Sequence, residues 1–301
     1  MAAIRCETQH LCAGPLSVST DDVWCHTMTQ NQLAGWLPAT IADKPGVPIV
    51  RALDRGIALL KAFHIARPRQ TLTELSAAAD LDKGTARRLL HTLQCSGLID
   101  HDPSSGLYSL GVGVLELASS VEKGRELREI AAPLLSELSE STGTTAYLWV
   151  HHEGSAICVE RVRASIPNVD AAWFTVGSRA PLNCGAGPRA LLSFISTEER
   201  AVALSLELAK RTPKSQTNIK TLNAEAVRIQ KQGWELAVDD FVVGLAALGV
   251  PVFDRQGHLA GSISITTLTA QLVEGAKPRH LDLIKKVSAE IGAKLFSRDA
   301  R

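Results

Sequence analysis

The stretch LTELSAAADLDKGTARRLLHTLQCSGLIDHDPSSGLYSLG, at Leu72–Gly111, begins with two helical patterns separated by a short break. The first helix starts at a capping box, because Thr71 and Glu74 have the spacing at which the two residues satisfy each other's backbone N–H groups. In the second helix, Asp82 can accept hydrogen bonds from the free N–H groups of the first turn, and Gly97 is the residue type that commonly ends helices. The spacing therefore predicts two short helices joined by a tight turn.

Two short strand patterns, LIDH and LYSL, follow these helices and are separated by the turn-forming residues DPSSG. A further helix is predicted before the two helices already described, since Val50, Leu53, Ile57 and Leu60 recur at helical spacing. Three helices followed by a β-hairpin form a winged helix-turn-helix, which we place at residues 49–111.

The third helix of this arrangement is amphipathic, with Ala86, Leu89, Leu90 and Leu93 on one face and basic side chains on the other. A helix that enters the major groove uses its N-terminal residues and its outer face, which selects as candidates for DNA contact Lys83, Gly84, Thr85, Arg87, Arg88 and His91. Arg88 is the candidate for base reading, because a guanidinium can donate two hydrogen bonds to guanine. A plain solvated basic face would show the same pattern, so the surrounding domain has to decide between the two.

The composition of the 301-residue chain is that of a globular protein, with 45% hydrophobic and 21% charged residues. Its length favours two domains. The net charge of +1 excludes a general polycation, so any nucleic-acid surface is local; residues 51–111 carry 8 basic and 6 acidic side chains. The N-terminus lacks the apolar core of a signal peptide and no apolar run could span a bilayer, so we expect a cytoplasmic protein with no membrane partner.

Residues 1–46 show no sustained helical or strand period and predict a flexible N-terminal extension. Three of the six cysteines, Cys6, Cys12 and Cys25, lie in this segment. Because the chain has no C-x-x-C pair and we expect a cytoplasmic location, reduced thiols are favoured over disulfides or a zinc site. We therefore expect neither a metal nor a cofactor.

Residues 112–124 form an amphipathic segment that predicts a linker helix, and a second domain follows at residues 125–301. A helix with Leu127, Ile130, Leu134 and Leu138 on one face opens that domain. The segments TTAYLWVH, AICVERV, WELAV, LAALGVPVF and LAGSISIT predict strands, and helices are predicted over PRALLSFI and residues 198–210, 222–231 and 278–296. Sequential hairpins with helices packed on them indicate an antiparallel sheet in an α+β domain.

These blocks together resemble the isocitrate lyase regulator (IclR) family of bacterial transcription factors. VRALDRGIALLKAF resembles the first helix of that family, and the stretch at Leu72–Gly111 resembles its helix-turn-helix and wing. RTPKSQTN, RAPLNCGAGPRALLSF and GWELAVDDFVVGLAALGVPVFDRQGHLAGSISIT match its effector domain in order and spacing. The resemblance runs from about residue 49 to residue 266, and more loosely to residue 301. It implies a winged-helix DNA-binding domain, a linker helix and a GAF-like domain that binds a small metabolite.

The resemblance also implies partners for each part of the chain. These are double-stranded operator DNA, a small-molecule effector, and further copies of the same chain, since members form homodimers or dimers of dimers. Two residues depart from the family near the DNA-binding helix, because serine is usual at Gly84 and proline at Asp82. Gly84 removes a hydroxyl that could bind a phosphate, and Asp82 adds a negative charge beside the groove, so operator preference could differ from that of relatives.

In the effector domain, the resemblance places the pocket on the sheet. Asp239 and Asp240 match an acidic block of the family, Ser264 and Thr266 match two hydroxyl positions, and Ala247 stands where cysteine is common. Phe241-Val242 replaces a second acidic pair. The pocket is therefore expected to be more apolar than one that binds glyoxylate or allantoin.

Cys184 and Gly185 precede the predicted helix PRALLSFI, whose free N–H groups could hold a carboxylate. A simple tight turn that packs the helix on the sheet explains the same residues. Arg189 replaces a lysine that is usual in the family and could be only a salt-bridge partner, and Trp149 and Trp173 could line the pocket. The effector class that these residues favour is an aromatic or branched carboxylic acid.

Two other functions fit parts of the sequence. Cys184 with a histidine could act as a catalytic nucleophile, but the chain has no Gly-x-Ser-x-Gly, phosphate-loop or His-Glu-x-x-His motif, so we do not expect an enzyme. A thiol-based redox-sensing regulator that uses Cys158 and Cys184 is the alternative. The sequence favours a metabolite-responsive transcriptional regulator, and a repressor over an activator.

Overall fold

The computed structural model describes residues 48–64, 67–121, 125–167, 169, 174–274 and 277–295. The predicted N-terminal extension at residues 1–46 lies outside the described residues, and so do Trp173 and the cysteines Cys6, Cys12 and Cys25.

The N-terminal part forms the winged helix-turn-helix that the sequence predicts. Its elements are α1 (Arg51–Lys61), β1 (Arg69–Thr71), α2 (Leu72–Ala78), α3 (Lys83–Cys95), β2 (Ile99–Asp102) and β3 (Leu107–Leu110). The wing hairpin β2–β3 is joined by β1, which pairs antiparallel with β3 to give the order β1-β3-β2. Strand β1 falls where the sequence predicts only a loop, because three residues are too few to show a strand period.

The predicted caps form at both helices of the helix-turn-helix. Thr71 and Glu74 make the capping box of α2. At α3, the Asp82 carboxylate accepts a hydrogen bond from the Thr85 N–H at 2.9 Å. These caps fix where the two helices begin, and a shared core of buried side chains holds them together: Leu59, Phe63, Leu75, Ala86, Leu90 and Ile99.

Helix α1 buries a different face from the one that its apolar period suggests. Leu59 and Phe63 enter the core, whereas Val50, Leu53 and Ile57 are exposed, the first two by more than 60%. The period correctly predicts a helix but not which of its apolar residues are covered within this chain. Exposed apolar residues that lie together on one helix are candidates for contact with a partner.

The linker helix predicted over residues 112–124 is shorter in the structure, where α4 spans Gly113–Ser119 and begins directly against the end of α3. Residues 122–124 of that prediction lie outside the described residues. The Gly113 N–H donates to the Gly97 carbonyl at 3.1 Å, and the Gly111 N–H donates to the Leu98 carbonyl at 2.9 Å. A Cβ atom at Gly111 or Gly113 would lie 2.3 or 2.7 Å from the Gly97 oxygen, so neither position has room for a side chain. The start of the linker is thereby attached to the turn that ends α3.

The C-terminal part is built on a six-stranded antiparallel sheet of order β6-β5-β4-β9-β8-β7. The strands are β4 (Thr145–His152), β5 (Ser155–Arg163), β6 (Arg179–Pro181), β7 (Glu235–Val238), β8 (Leu245–Phe253) and β9 (Leu259–Leu268). The helices are α5 (Arg125–Thr142), α6 (Ala186–Phe194), α7 (Thr197–Ser205), α8 (Ile219–Gln232), α9 (Thr269–Leu272) and α10 (Leu281–Lys294), with a two-residue hairpin of β10 (Val273–Glu274) and β11 (Lys277–Pro278).

Helices cover both faces of this sheet, as an α+β layer requires. Along β4, Ala146 and Leu148 face a core that α5 and α10 cover, while Tyr147 and Trp149 face the other side, which α6 covers. Gly249 on β8 allows α6 to approach closely, because a Cβ there would lie 2.5 Å from the backbone of Ala186. The first turn of α6 is therefore held directly on the sheet.

The sequence predictions hold for the long elements of this domain and fail for short ones. The helix predicted over residues 198–210 is shorter in the structure: α7 ends at Ser205, and a loop follows as far as Asn218. Elements β6, α9, β10 and β11 were not predicted. No helix in the described part of the chain is both long and apolar enough to cross a membrane.

Candidate functional site

The outer face of α3 carries the six residues that the sequence selects. Lys83, Gly84, Arg87, Arg88 and His91 are exposed, and Thr85 is half-buried. The opposite face contributes Ala86 and Leu90 to the core and buries them completely. The helix is therefore anchored by one face and presents the other, with its basic side chains, to the solvent.

The cations on this face are free of salt bridges to described residues. No described carboxylate lies within 4 Å of Lys83, Arg87 or Arg88. The nearest acid in sequence, Asp82, is engaged as the N-cap, and hydrogen bonds from Thr85 hold the pKa of its carboxyl below the usual value. A Cβ at Gly84 would lie 3.2 Å from the Asp82 carboxylate, so these two residues fit each other.

The wing has its own internal hydrogen bonds. The Asp102 carboxylate accepts from the Ser104 N–H at 2.9 Å and from the Ser104 and Ser105 hydroxyls at 2.6 Å. These bonds hold the pKa of Asp102 well below its usual range. Because both serine hydroxyls donate inward, the turn of the wing presents few groups that could grip a phosphate.

A pocket lies between the sheet and the first turn of α6, with about 460 Å³ of empty space including its open mouth. Most of the residues predicted for the effector site line it: Cys184, Gly185, Asp240, Ala247, Ser264 and Thr266. They come from the turn before α6, the loop after β7, and the adjacent strands β8 and β9. The fold brings these separate segments together on one face of the sheet.

Asp239 does not line this pocket. Its backbone is in the left-handed region, at φ 56°, and its carboxylate has different partners from the carboxylate of Asp240. The Asp239 carboxylate instead pairs with Lys214 at 2.8 Å and accepts from the Gly244 N–H at 2.8 Å. This pairing holds the pKa of Asp239 below its usual value, and its role is to shape the loop.

An aromatic wall of four residues lines the pocket: Tyr147, Trp149, Phe174 and Phe241. The ring centres of Trp149 lie 5.4 Å from Tyr147 and 5.0 Å from Phe174, and Phe174 lies 4.9 Å from Phe241. Sequence reasoning anticipated Trp149 and the apolar change at Phe241 but missed Tyr147 and Phe174. The i, i+2 spacing of Tyr147 and Trp149 on a strand could have indicated that they share a face.

The N-terminus of α6 already holds one carboxylate. The Gly185 N–H donates to Asp240 at 2.8 Å, and Arg189 approaches the same carboxylate at 3.9 Å. Burial nevertheless raises the pKa of Asp240. Arg189 itself bonds Glu225 at 2.7 Å and the fully buried Glu235 at 2.9 Å, so it is the salt-bridge partner that the sequence suggested.

Further polar groups of the pocket are mainly donors. The Trp149 indole N–H donates to the Ser264 hydroxyl oxygen at 2.9 Å, and the hydroxyls of Ser264 and Thr266 find no acceptor among the described residues. The N–H groups of Ala186 and Gly187 lie in the first turn of α6, where no intrahelical acceptor exists. This corner of the pocket is suited to a group that accepts several hydrogen bonds.

Comparison with known proteins accounts for both halves of the chain. Residues 52–103 match the IclR helix-turn-helix domain, and residues 119–293 match the family described as bacterial transcriptional regulator IclR C-terminal. The chain belongs to the IclR family of bacterial transcriptional regulators.

Curated relatives and solved structures match this chain over about four fifths of its length and over nine tenths or more of their own. The glycerol operon regulatory protein of Streptomyces griseus is 28% identical over 82% of this chain and 98% of that protein. The transcriptional repressor AllR of Salmonella typhi is 25% identical over 81% of this chain and 90% of that protein. The crystal structure of an IclR homologue from Microbacterium hydrocarbonoxydans, in complex with 4-hydroxybenzoate, has a TM-score of 0.71 at 20% identity and covers 80% of this chain and 97% of that one.

Membership in the IclR family gives the two sites their general roles. The winged helix-turn-helix binds DNA, and the C-terminal domain is an effector-binding domain. The curated relatives are named as transcriptional regulators rather than as enzymes. Among the described residues, no cluster of three or more side chains has the composition and spacing of a metal site.

The buried thiols of this IclR protein do not have the properties of redox sensors. Cys158 and Cys184 are at most 1% exposed, and burial raises the pKa of each to about 12. A thiol reacts with oxidants as its thiolate, which is almost absent at neutral pH when the pKa is that high. The alternative that uses these two cysteines therefore has no support in their surroundings.

Proposed function

We propose that this IclR-family chain is a metabolite-responsive repressor whose α3 helix enters the major groove of operator DNA and whose pocket binds a carboxylic acid with an aromatic or branched body. The observation that carries the first part is the row of cations on α3 that no described carboxylate neutralises. In a winged helix-turn-helix this outer face is the surface that enters the major groove, and cations without protein partners are available there to contact DNA.

The DNA contacts divide by position along α3. Lys83 and Thr85 stand at the start of the helix, where phosphates approach, and Arg87 and His91 flank the outer face. Arg88 lies at its centre and is the residue for base reading, since its guanidinium fits the two acceptors of guanine. Gly84 leaves the helix backbone open at the point of closest approach.

The proposal of a carboxylic acid effector rests on the donor-rich corner of the pocket. The Ser264 and Thr266 hydroxyls and the free N–H groups of Ala186 and Gly187 can all donate to a carboxylate. The charge of Asp240 is partly offset by the Gly185 N–H and by Arg189. The aromatic wall would cover a planar or branched body, as apolar pockets cover their ligands.

Effector binding would have to favour one of two arrangements of the DNA-binding domain. A ligand shifts such an equilibrium only through different affinities for the two states. Helices α4 and α5 occupy the chain between the two sites, so the proposal assigns the coupling to them. Repression follows if the arrangement that binds the operator is the one without effector.

Fluorescence anisotropy of the purified protein on DNA from its own upstream intergenic region tests the DNA-binding part. We expect saturable binding that weakens steeply with salt, and a loss of roughly tenfold to a hundredfold in Arg88→Ala. Arg279→Ala is the matched control, because Arg279 is an exposed arginine of the second domain in a surface ion pair with Glu274 and lies outside the helices assigned to coupling. Equal losses in both variants would contradict base reading by Arg88.

A reporter gene under the same upstream region tests the sign of regulation. We expect higher expression when the regulator is deleted, and restored repression by the wild-type chain but not by Arg88→Ala. The first effector candidate is 4-hydroxybenzoate, which the Microbacterium homologue binds and which has both an aromatic ring and a carboxylate. Lower expression on deletion would identify an activator instead.

A further inference from the structure

Trp149 lines the pocket, and its one polar group, the indole N–H, is already engaged in a hydrogen bond to Ser264. It is 2% exposed, and its indole N–H donates to the Ser264 oxygen at 2.9 Å. An indole nitrogen is only ever a donor, so Ser264 must act as the acceptor in this bond. The Ser264 proton is then directed elsewhere, and no described residue accepts it although Ser264 is 97% buried.

This arrangement determines what the serine can do for a ligand. A ligand oxygen that accepts the Ser264 proton would satisfy the buried hydroxyl. A ligand N–H at the same place would leave that proton without a partner, and buried polar groups that lose their partners reduce affinity by roughly tenfold to a hundredfold. A carboxylate presents an acceptor to Ser264 in either orientation. An isosteric carboxamide can turn its carbonyl oxygen toward Ser264, but its N–H2 group then faces the free N–H groups of Ala186 and Gly187. By fixing Ser264 as a donor to the ligand, Trp149 therefore favours a carboxylate over a carboxamide.

Gly187 shows that the indole also fixes the shape of the pocket. A Cβ at Gly187 would lie 2.5 and 2.6 Å from two atoms of the Trp149 ring and 2.9 Å from the Ser264 oxygen. Gly187 is in a helix and has no positive φ, so its backbone does not require glycine. Because Gly187 has no Cβ, the indole of Trp149 can occupy the space in which that atom would lie.

Two other aromatic rings of the pocket, those of Tyr147 and Phe174, contact the indole of Trp149. Tyr147 stacks on it at 5.4 Å and Phe174 meets it edge-on at 5.0 Å, so the indole cannot withdraw to admit a larger ligand without breaking these contacts. The indole is thus held by two other rings and lines the pocket next to the hydroxyl that it bonds.

We propose that Trp149 is the specificity-determining residue of the effector pocket, which limits effectors to single-ring acids and directs the Ser264 proton to their carboxylate. This inference rests on the proposed carboxylic acid effector, and it adds the residue that sets the size limit and the choice of acid over amide.

Isothermal titration calorimetry of the full chain, without DNA, tests both parts with three named probes: 4-hydroxybenzoate, 4-hydroxybenzamide and 6-hydroxy-2-naphthoate. For the wild type we expect the single-ring acid to bind about tenfold or more tightly than either other probe. Trp149→Phe keeps a ring but lacks the N–H, and its acid-to-amide preference should fall by about tenfold. Trp149→Leu should bind the naphthoate more tightly than the wild type does.

Two controls separate a specific role from a general loss of structure. Trp234→Phe makes the same change in a tryptophan that packs against the core on the other face of the sheet, and should leave all three affinities unchanged. Gly187→Ala should lower the melting temperature in the wild type but much less in Trp149→Leu, where the ring that it meets is gone. This second readout needs no ligand.

The outcomes that overturn the inference differ from those that overturn the proposed effector. If Trp149→Phe keeps the full acid preference and Trp149→Leu gains nothing for the naphthoate, Trp149 does not set specificity. Equal destabilisation by Gly187→Ala in both backgrounds also contradicts it. If no probe binds any variant, the carboxylic acid effector fails and the inference fails with it, while the DNA-binding proposal is judged by anisotropy alone.

Discussion

Single residues of the same type differ sharply with their surroundings, and the cysteines show this best. Cys95 is exposed at the end of α3, whereas Cys158 on β5 and Cys184 in the turn before α6 are buried, and their sulfurs donate to backbone carbonyls at 3.3 Å. Burial raises the pKa of both buried thiols to about 12. The sequence alone could not rank these residues, because Arg161, Arg163 and Arg189 are near them in the chain but neither their distances nor the burial of the thiols can be read from it.

Native-state alkylation with iodoacetamide at neutral pH should therefore modify Cys95 and spare Cys158 and Cys184 until the protein unfolds. Mass spectrometry of the peptides, with samples in denaturant as the fully reactive control, measures the rate at each site. Modification of Cys184 in the folded protein at the rate of Cys95 would restore the redox-sensing alternative.

The pocket shows where prediction from single residues reaches its limit. Asp240, Ser264 and Thr266 were predicted from the matching blocks, and all three line the pocket. Asp239 has the same chemistry as Asp240, yet its backbone has a positive φ and its carboxylate pairs with Lys214 outside the pocket. A local backbone conformation of this kind has no reliable sign in the identity of the residue.

At the scale of elements, local capping was the most predictable feature. The capping box at Thr71 and Glu74 and the Asp82 cap both form as their spacing requires, because these contacts depend on neighbours in the chain. Strands β1 and β6 could not be foreseen, since each has three residues and is stabilised by pairing with a distant strand. The helices that were predicted lie within a few residues of their predicted positions, except for the segment after Ser205, and the four-residue helix α9 was not predicted.

The junction of α3 and α4 gives a prediction for an element rather than for a site. Gly113→Ala should destabilise the DNA-binding domain by about 1–3 kcal/mol, because its Cβ would press on the Gly97 carbonyl that Gly113 itself bonds. Gly56→Ala is the matched control: it lies inside α1 with nothing within 4 Å of the added Cβ, and should be neutral or stabilising by up to about 1 kcal/mol. Urea unfolding measures both changes.

The opposite order of stabilities would show that the linker is free to move away from Gly97. If the junction is rigid, as these contacts indicate, the beginning of α4 and the end of α3 move together. Any rotation of the linker helix would then change the direction of the helix proposed to read DNA, which is what coupling between two sites needs from an element.

At the scale of the whole molecule, the pattern of exposed apolar residues is the feature that the single chain does not explain. The apolar period of α1 predicted burial, yet Val50 and Leu53 are exposed, and Leu115 and Leu117 of α4 are more than 60% exposed as well. The sequence predicted the helical period of these apolar residues, but it did not indicate which surface, in this chain or in a partner, covers them. Large contiguous apolar patches on a protein surface commonly mark sites of interaction with a partner.

A second copy of the chain is the partner that we propose for these faces, since one DNA-binding domain with 8 basic and 6 acidic side chains has little charge with which to bind alone. Leu53→Glu and Leu115→Glu should each shift the oligomeric state in light scattering toward the monomer, by placing a carboxylate in an apolar contact. Val202→Glu, an equally exposed valine on α7, is the control and should change nothing.

In the variants that become monomers, affinity for the operator should fall by at least about tenfold. The reason is that two linked domains bind one palindromic site with a high effective concentration. The loss should be smaller on a fragment with a single half-site, where the second domain has nothing to contact. If both variants stay dimeric and keep their affinity, the exposed faces of α1 and α4 serve another purpose. If they become monomers with unchanged affinity for the full site, one domain alone reads the operator and the charge argument is wrong.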